Sequence, residues 1–277
     1  MEGPRVTWRD AAIRDIRRAS RSVGIWIVGG VQILLFVGLA AVKFVLDDGS
    51  FLTYIDSLTG VVAVTTPLVA LLLGYKSILA ERTGGQLRLA LSVPHSRRDV
   101  AVGKFVGRSV VFAVPTVLAL CLAGGVAIAL ADGGVPWLWL PWFVGVTLLY
   151  GVGFVGLAVG VSLSTAIGRR VAVGAIGAYL ATVVLWEDLH TAMLLVLHRF
   201  DTAVTNDMPG LALLVRLAAP SESFDLLVRT GFAVDRAGRY VDSGIAYVTW
   251  PVALGLLVAW ALVPVALGAL RFETTDL

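Results

Sequence analysis

The string WEDLH at residues 186–190 places Glu187, Asp188 and His190 within about one helical turn of each other, in otherwise apolar sequence. Ionisable groups at membrane depth are functional suspects, and Glu187 with His190 has the one-turn spacing that can hold a cation or serve an intramembrane enzyme. A carboxylate pair near a helix end also marks a water boundary, so both readings stand. No H-E-x-x-H motif accompanies it, and Cys121 is the only cysteine, which excludes a thiolate cluster and an internal disulfide. No metal site is expected. GVGFVG at 151–156 matches a dinucleotide fingerprint in letters only, because it lies mid-way along an apolar run with no strand before it. Gly156 and Gly160 instead have the small-xxx-small spacing that lets membrane helices approach closely, within the bundle or at a dimer interface. G-x-x-x-x-G-K-[ST] is absent, so any ATP-driven work requires an ATPase on another chain.

A second polar feature is longer. Residues 80–104, AERTGGQLRLALSVPHSRRDVAVGK, form a charged island between two apolar runs. Gly84 and Gly85 break the helix arriving from the first run, QLRLALSV has the length and amphipathicity of a short surface helix, and Pro94 ends it. Ser96 with Asp99 then has capping-box spacing for a helix that re-enters the membrane near Lys104. A connector between antiparallel spans needs only about 2–8 residues. The surplus offers a rigid surface, joined to two spans, on which a partner could push.

These features must be held by membrane helices. The chain has 277 residues, 58% of them apolar and 15% charged, against about 25% charged in soluble domains. Six stretches, near 23–46, 58–79, 105–130, 138–163, 171–197 and 245–270, have the roughly 20 residues a bilayer crossing needs. With the N-terminus inside, the inner segments hold 16 of the 22 lysines and arginines, and the outer ones most of the acids. That asymmetry favours cytoplasmic N- and C-termini. Arginine and acid run through residues 1–22, which excludes a secretory leader as the reading of that segment. Thr7 and Asp10 have capping-box spacing, and Trp8, Ala12, Ile16 and Ala19 recur at helical intervals, so an amphipathic surface helix precedes a single transmembrane domain over 23–277. The outer segment 199–244 holds two short amphipathic helices, the second ending at Gly231. The net charge of +3 describes an inner face suited to anionic membrane lipid or an acidic partner and implies no nucleic acid. The fold class is therefore an all-α membrane protein with six transmembrane helices.

The run ERTGGQLRLALSVPHSRRDVAVGKFVG resembles the signature loop between the second and third spans of ABC-2 type permeases, the membrane subunits of one class of ABC transporters. Glu81, Arg82, Gly85, Leu87, Leu91, Ser92, Pro94, Ser96, Arg97, Gly103 and Lys104 match that pattern one by one. The N-terminal helix, the six spans and the outer APSESFDLLV segment are also similar. The nearest flavour is the branch of nitrous-oxide-reductase maturation and multidrug efflux permeases. Tandem Gly84 and Gly85 depart from the pattern.

The resemblance implies that 80–104 contains a cytoplasmic coupling helix docking on a separate ATP-binding cassette subunit. Glu81 and Arg82 would anchor the loop there, while Pro94 and Ser96 shape it. Two permease chains, identical or different, would assemble with two ATPases that bind ATP and Mg. This chain would hold no cofactor and perform no catalysis. The expected role is an exporter permease in a prokaryotic plasma membrane, and the spans' sparse charge leaves amphiphilic and ionic cargo both open. The competing readings are an intramembrane enzyme or ion-binding protein using Glu187, Asp188 and His190, and a carrier not driven by ATP.

Overall fold

The computed structural model describes residues 7–45, 51–75, 97–131, 135, 138–165, 167–206, 208–232, 240, 245 and 247–274, and every element among them is helical. In chain order these are α1 (Trp8–Ser20), α2 (Val23–Val45), α3 (Phe51–Gly74), α4 (Arg97–Leu130), α5 (Trp139–Ser164), α6 (Gly168–Tyr179), a π turn (Leu180–Val184), α7 (Trp186–Leu197), α8 (Ala203–Asn206), α9 (Gly210–Leu217), α10 (Pro220–Phe232) and α11 (Trp250–Thr274). The helices α2, α3, α4, α5 and α11 are long and apolar enough to cross a bilayer, and α6 with α7 makes a sixth if the bent pair is one crossing.

α5 occupies the centre. It is apolar on every side and the most deeply buried of the long helices, which is how a helix without a polar face satisfies itself. It packs on α11, α3, α4 and α10. By contrast α2 keeps large apolar side chains such as Trp26, Leu34 and Val45 exposed, as a lipid-facing helix does. At 34 residues, α4 is about 51 Å long against a hydrocarbon core of about 30 Å. Its surplus lies at the end bearing Arg97, Arg98, Asp99, Lys104 and Arg108, so the helix begins at Arg97, earlier than the apolar run starting at 105.

The fifth apolar run, expected to cross as one helix over 171–197, is bent by 66° between Gly168–Val184 and Trp186–Leu197. The cause is local. Thr182, Val183 and Val184 are consecutive β-branched residues, poor at continuing an α-helix. The chain widens into a π turn that Leu185 N–H closes on Leu180 O at 2.8 Å. The Thr182 hydroxyl donates back to Ala178 O at 2.8 Å, and Thr182 O accepts from the Ser221 hydroxyl at 2.9 Å, which pins the bend to the start of α10.

Gly231 does not end α10, which continues to Phe232. A Cβ there would collide with the Trp142 indole, which donates to Leu227 O at 3.0 Å, so this glycine makes room for a neighbour.

Pro67 sits inside α3 and supplies no N–H to the carbonyl four residues back, Ala63 O. The buried Tyr150 hydroxyl of α5 takes that place, donating to Ala63 O at 2.8 Å, and the Tyr179 hydroxyl of α6 stands 3.5 Å from Val64 O. Tyr150→Phe is expected to destabilise the bundle by about 1–3 kcal/mol because it orphans a buried carbonyl. In a Pro67→Ala background, where residue 67 regains its N–H, the same substitution should lose most of its effect. A double-mutant cycle on detergent-unfolding midpoints reads this directly, and additivity would refute it.

Candidate functional site

Among the described residues, two clusters of charge centre on a buried ion, Asp15 and Arg216. The first joins α1 to the overhanging end of α4. α1 begins at a capping box in which the Asp10 carboxylate accepts from the Thr7 N–H at 2.9 Å and the Thr7 hydroxyl at 3.0 Å. Those bonds, the backbone one foremost, and nearby Arg14 lower the Asp10 pKa below the ordinary carboxylate value. One face of α1 is buried, and it consists of Ala11, Ala12, Asp15 and Ala19.

This small-residue face meets glycine on α4. A Cβ at Gly103 would lie 2.5 Å from Ala11 Cβ and 2.8 Å from Trp8 O, and one at Gly107 would lie 3.0 Å from Asp15 Cβ. The two helices therefore touch without intervening side chains, and Lys104 and Arg108 extend from α4 on either side of Asp15. Lys104 Nζ donates to Asp15 Oδ1 at 2.7 Å. Arg108 Nη2 donates to the same oxygen at 3.3 Å, and Nε lies 2.9 Å from Oδ2, within ion-pair distance though outside hydrogen-bond geometry. Arg108 Nη1 also donates to Leu73 O near the end of α3 at 3.0 Å. The Asp15 carboxylate is fully buried, with Lys104 6% and Arg108 18% exposed. One carboxylate thus ties α1 and α4 together, and Arg108 adds α3. A buried charge pair of this kind specifies geometry more than it adds stability, and breaking it by removing one partner is expensive.

Of the residues singled out in the island, Lys104 is placed in this junction. Glu81, Arg82, Gly85, Leu87, Leu91, Ser92, Pro94 and Ser96 lie outside the described residues, as does the side chain of Arg97, whose backbone opens α4. Asp15 and Arg108 were not picked out from the sequence. The available signal was the i, i+4 repeat of Gly103-Lys104 and Gly107-Arg108, a double small-plus-basic pattern on one helix face.

The second cluster takes in WEDLH. Arg216 of α9, with its side chain 3% exposed, donates from Nη2 to Glu187 Oε1 at 2.5 Å and from Nε to Glu222 Oε1 at 2.9 Å. The Tyr240 hydroxyl donates to Glu222 Oε2 at 2.5 Å. Burial alone would lower the Arg216 pKa, but Glu222 and then Glu187 reverse this and hold it above the ordinary arginine value. Glu187 is 65% exposed, so its part of the network is solvent-screened and Glu222 carries the larger share. His190 is buried with Nε2 2.9 Å from Ala212 O, and because a carbonyl only accepts, Nε2 carries the proton. The Trp186 indole donates to Arg216 O at 3.1 Å, and Asp188 is exposed. Glu187, His190 and Trp186 each bind α9, so WEDLH clamps α7 onto the short helices that follow it.

Gly156 and Gly160 face α11. A Cβ at Gly156 would strike Ala261 O and one at Gly160 would strike Pro264 O, while a Cβ at Gly268 would lie 2.5 Å from Gly160 O. This close approach is made within the chain. Gly151 of GVGFVG makes room for the Phe112 ring of α4, whereas a Cβ at Gly153 would meet Trp260 Cβ at an ordinary 3.5 Å.

Comparison with known proteins adds an independent observation. A family model described as ABC-2 family transporter protein matches residues 12–277. The chain is 30% identical over 190 residues to a probable ABC transporter permease protein NosY of Pseudomonas aeruginosa, covering 68% of this chain and 67% of that one. It is 31% identical over 183 residues to a probable ABC transporter permease protein NosY of Stutzerimonas stutzeri, covering 64% of this chain and 63% of that one. The alignments span about two thirds of the length of these relatives.

Proposed function

Because this chain belongs to the ABC-2 family of transporter proteins, and is a multi-pass permease subunit of an ABC transporter in a prokaryotic plasma membrane, we propose that it is the membrane half of an ATP-driven exporter. Hydrolysis of MgATP would occur on a separate ATP-binding cassette subunit, and a second permease chain would complete the pathway. The basic end of the bundle faces the cytoplasm in this reading, in keeping with the arginine bias. Residues 80–104 are the docking loop, with Glu81, Arg82, Pro94, Ser96 and Arg97 as its contact and shaping residues.

The observation that supports this reading best is the buried Asp15–Lys104–Arg108 junction at the root of the loop. A push on the loop arrives at the start of α4. Gly103 and Gly107 leave no clearance between α4 and α1, so the two would move as one body. Arg108 carries the displacement to the end of α3, the helix on the other side of the loop. ATP-driven closure of the ATPases would thereby favour one arrangement of the spans through differential contact with it. In the same reading WEDLH is a structural clamp and takes no part in chemistry.

The test is co-purification. The tagged chain, expressed in its native host and extracted in mild detergent, is expected to retain an ATP-binding cassette ATPase, and Glu81→Ala with Arg97→Ala is expected to release it while the permease stays folded. Retention by the double variant would remove the loop from the docking surface. A wild-type chain that holds no ATPase would overturn the exporter reading.

A further inference from the structure

Among the described residues, an apolar groove of about 360 Å³ opens between α1, α2 and α4 on the lipid-facing side of the bundle. Its walls include Ile16 and Ser20 of α1, Trp26 and Gly30 of α2, and Val114 and Leu118 of α4. The α4 portion runs from Val110 to Leu118, about 12 Å along the helix, so the groove reaches from the level of α1 into the hydrocarbon region. Trp26, Val114 and Leu118 are exposed along it, and Gly30 has no atom within 4 Å of where a Cβ would stand. The upper rim is closed by the Trp26 indole, which crosses from α2 to donate to Ser20 O at 3.0 Å.

The α1 wall of this groove is bordered in sequence by basic residues. Arg17 and Arg21 follow directly after the groove residues Ile16 and Ser20, four positions apart and so on neighbouring turns, and both are exposed. An apolar slot of acyl-chain width under a pair of arginines at a helix lying along the membrane surface has the charge and polarity profile of one molecule class, an anionic phospholipid. The geometry points to a specific anionic-phospholipid site here, with an acyl chain along Gly30 and Val114 and the phosphate between Arg17 and Arg21. The bound lipid packs α1 against α2 and α4 on a face about 100–140° round the helix from Asp15, so it acts as a further, exchangeable fastening of α1. The inference depends on the membrane placement of the chain and is independent of whether an ATPase binds it.

The full-length chain is purified in mild detergent and its retained lipids are quantified by mass spectrometry, followed by competition between phosphatidylglycerol and phosphatidylcholine. Wild type is expected to retain phosphatidylglycerol stoichiometrically and to prefer it by about 25-fold, taking about fivefold for each arginine near the phosphate. Arg17→Gln with Arg21→Gln should abolish the preference and leave the fold intact, since both side chains are exposed. Gly30→Leu, which fills the slot, should release the lipid with an unchanged size-exclusion profile. Equal affinity for the two lipids in wild type, or an undiminished preference in the double arginine variant, would overturn the site. So would cross-linking of Gly30→Cys chains to each other in the membrane, which would assign the groove to a contact between two copies.

Discussion

Asp15→Ala is expected to detach α1 from α4 and to abolish transport-coupled ATPase activity while leaving the membrane bundle assembled. The substitution removes a buried carboxylate that pairs with both Lys104 and Arg108. Breaking a buried pair in this way costs about 3–5 kcal/mol, concentrated on an interface that is otherwise alanine against glycine. The rest of the bundle does not depend on α1, whose described contacts are chiefly with α4. The expected signature is therefore local: faster proteolysis or cysteine labelling within residues 8–20, an unchanged elution profile, and an ATPase rate that no longer responds to assembly with the permease. Asp15→Asn should behave as Asp15→Ala does, because the charge and not the shape is what holds the cations. If α1 of Asp15→Ala is protected and coupled like wild type, the junction is not the fastening described above.

Gly160→Leu is expected to have the largest effect on folding of any single substitution in the bundle. Even a Cβ at this position would collide with Pro264 O, and the obstacle is backbone, which cannot rotate aside. In a bilayer the helices gain little from leaving the lipid, so close packing supplies the association energy, and a forced separation of α5 and α11 forfeits it along the whole seam. Overpacking a filled core ordinarily costs about 1–3 kcal/mol. Here the same displacement also parts Gly156 from Ala261 and Gly268 from Gly160, so the expected result is loss of monodisperse protein in fluorescence-detected size exclusion. Gly160→Ala should lower the unfolding midpoint, and Gly145→Ala on the same helix, with no atom within 4 Å of its Cβ, should not. A Gly160→Leu chain with wild-type yield would show that the seam is dispensable.

What could be read in the sequence follows a physical divide. Features generated within about one turn were legible: the long apolar runs, the Thr7 and Asp10 capping box, and the four-residue spacing of Gly156 and Gly160. Features that need a distant partner were not. Asp15 looks like one acid among many arginines until Lys104, 89 residues later, is brought to it. WEDLH has the spacing of a cation site, yet Arg216 reaches Glu187 only after the chain has reversed through Arg199 and Phe200, both in the left-handed region at φ 55° and 66°. The bend at Leu185 falls between. The run of β-branched residues before it was visible, but hydropathy averages over such a run and reports one span.

The seam between α5 and α11 divides the molecule mechanically. Where side chains mesh, helices can slide by changing rotamers, but where carbonyl oxygens sit directly against glycine Cα atoms there is no adjustable layer. A relative shift of a fraction of a turn would carry the Pro264 and Ala261 carbonyls into residues that have a Cβ, among them Leu157 and Val159. α5 and α11 therefore form a stator. Conformational change must be taken up by the helices that meet this pair through larger side chains, and by the π turn at 180–184, where the ladder of hydrogen bonds is already interrupted. A partner that pushed on α4, as proposed above, would work against a wall that does not yield, and its stroke would be delivered to the remaining helices.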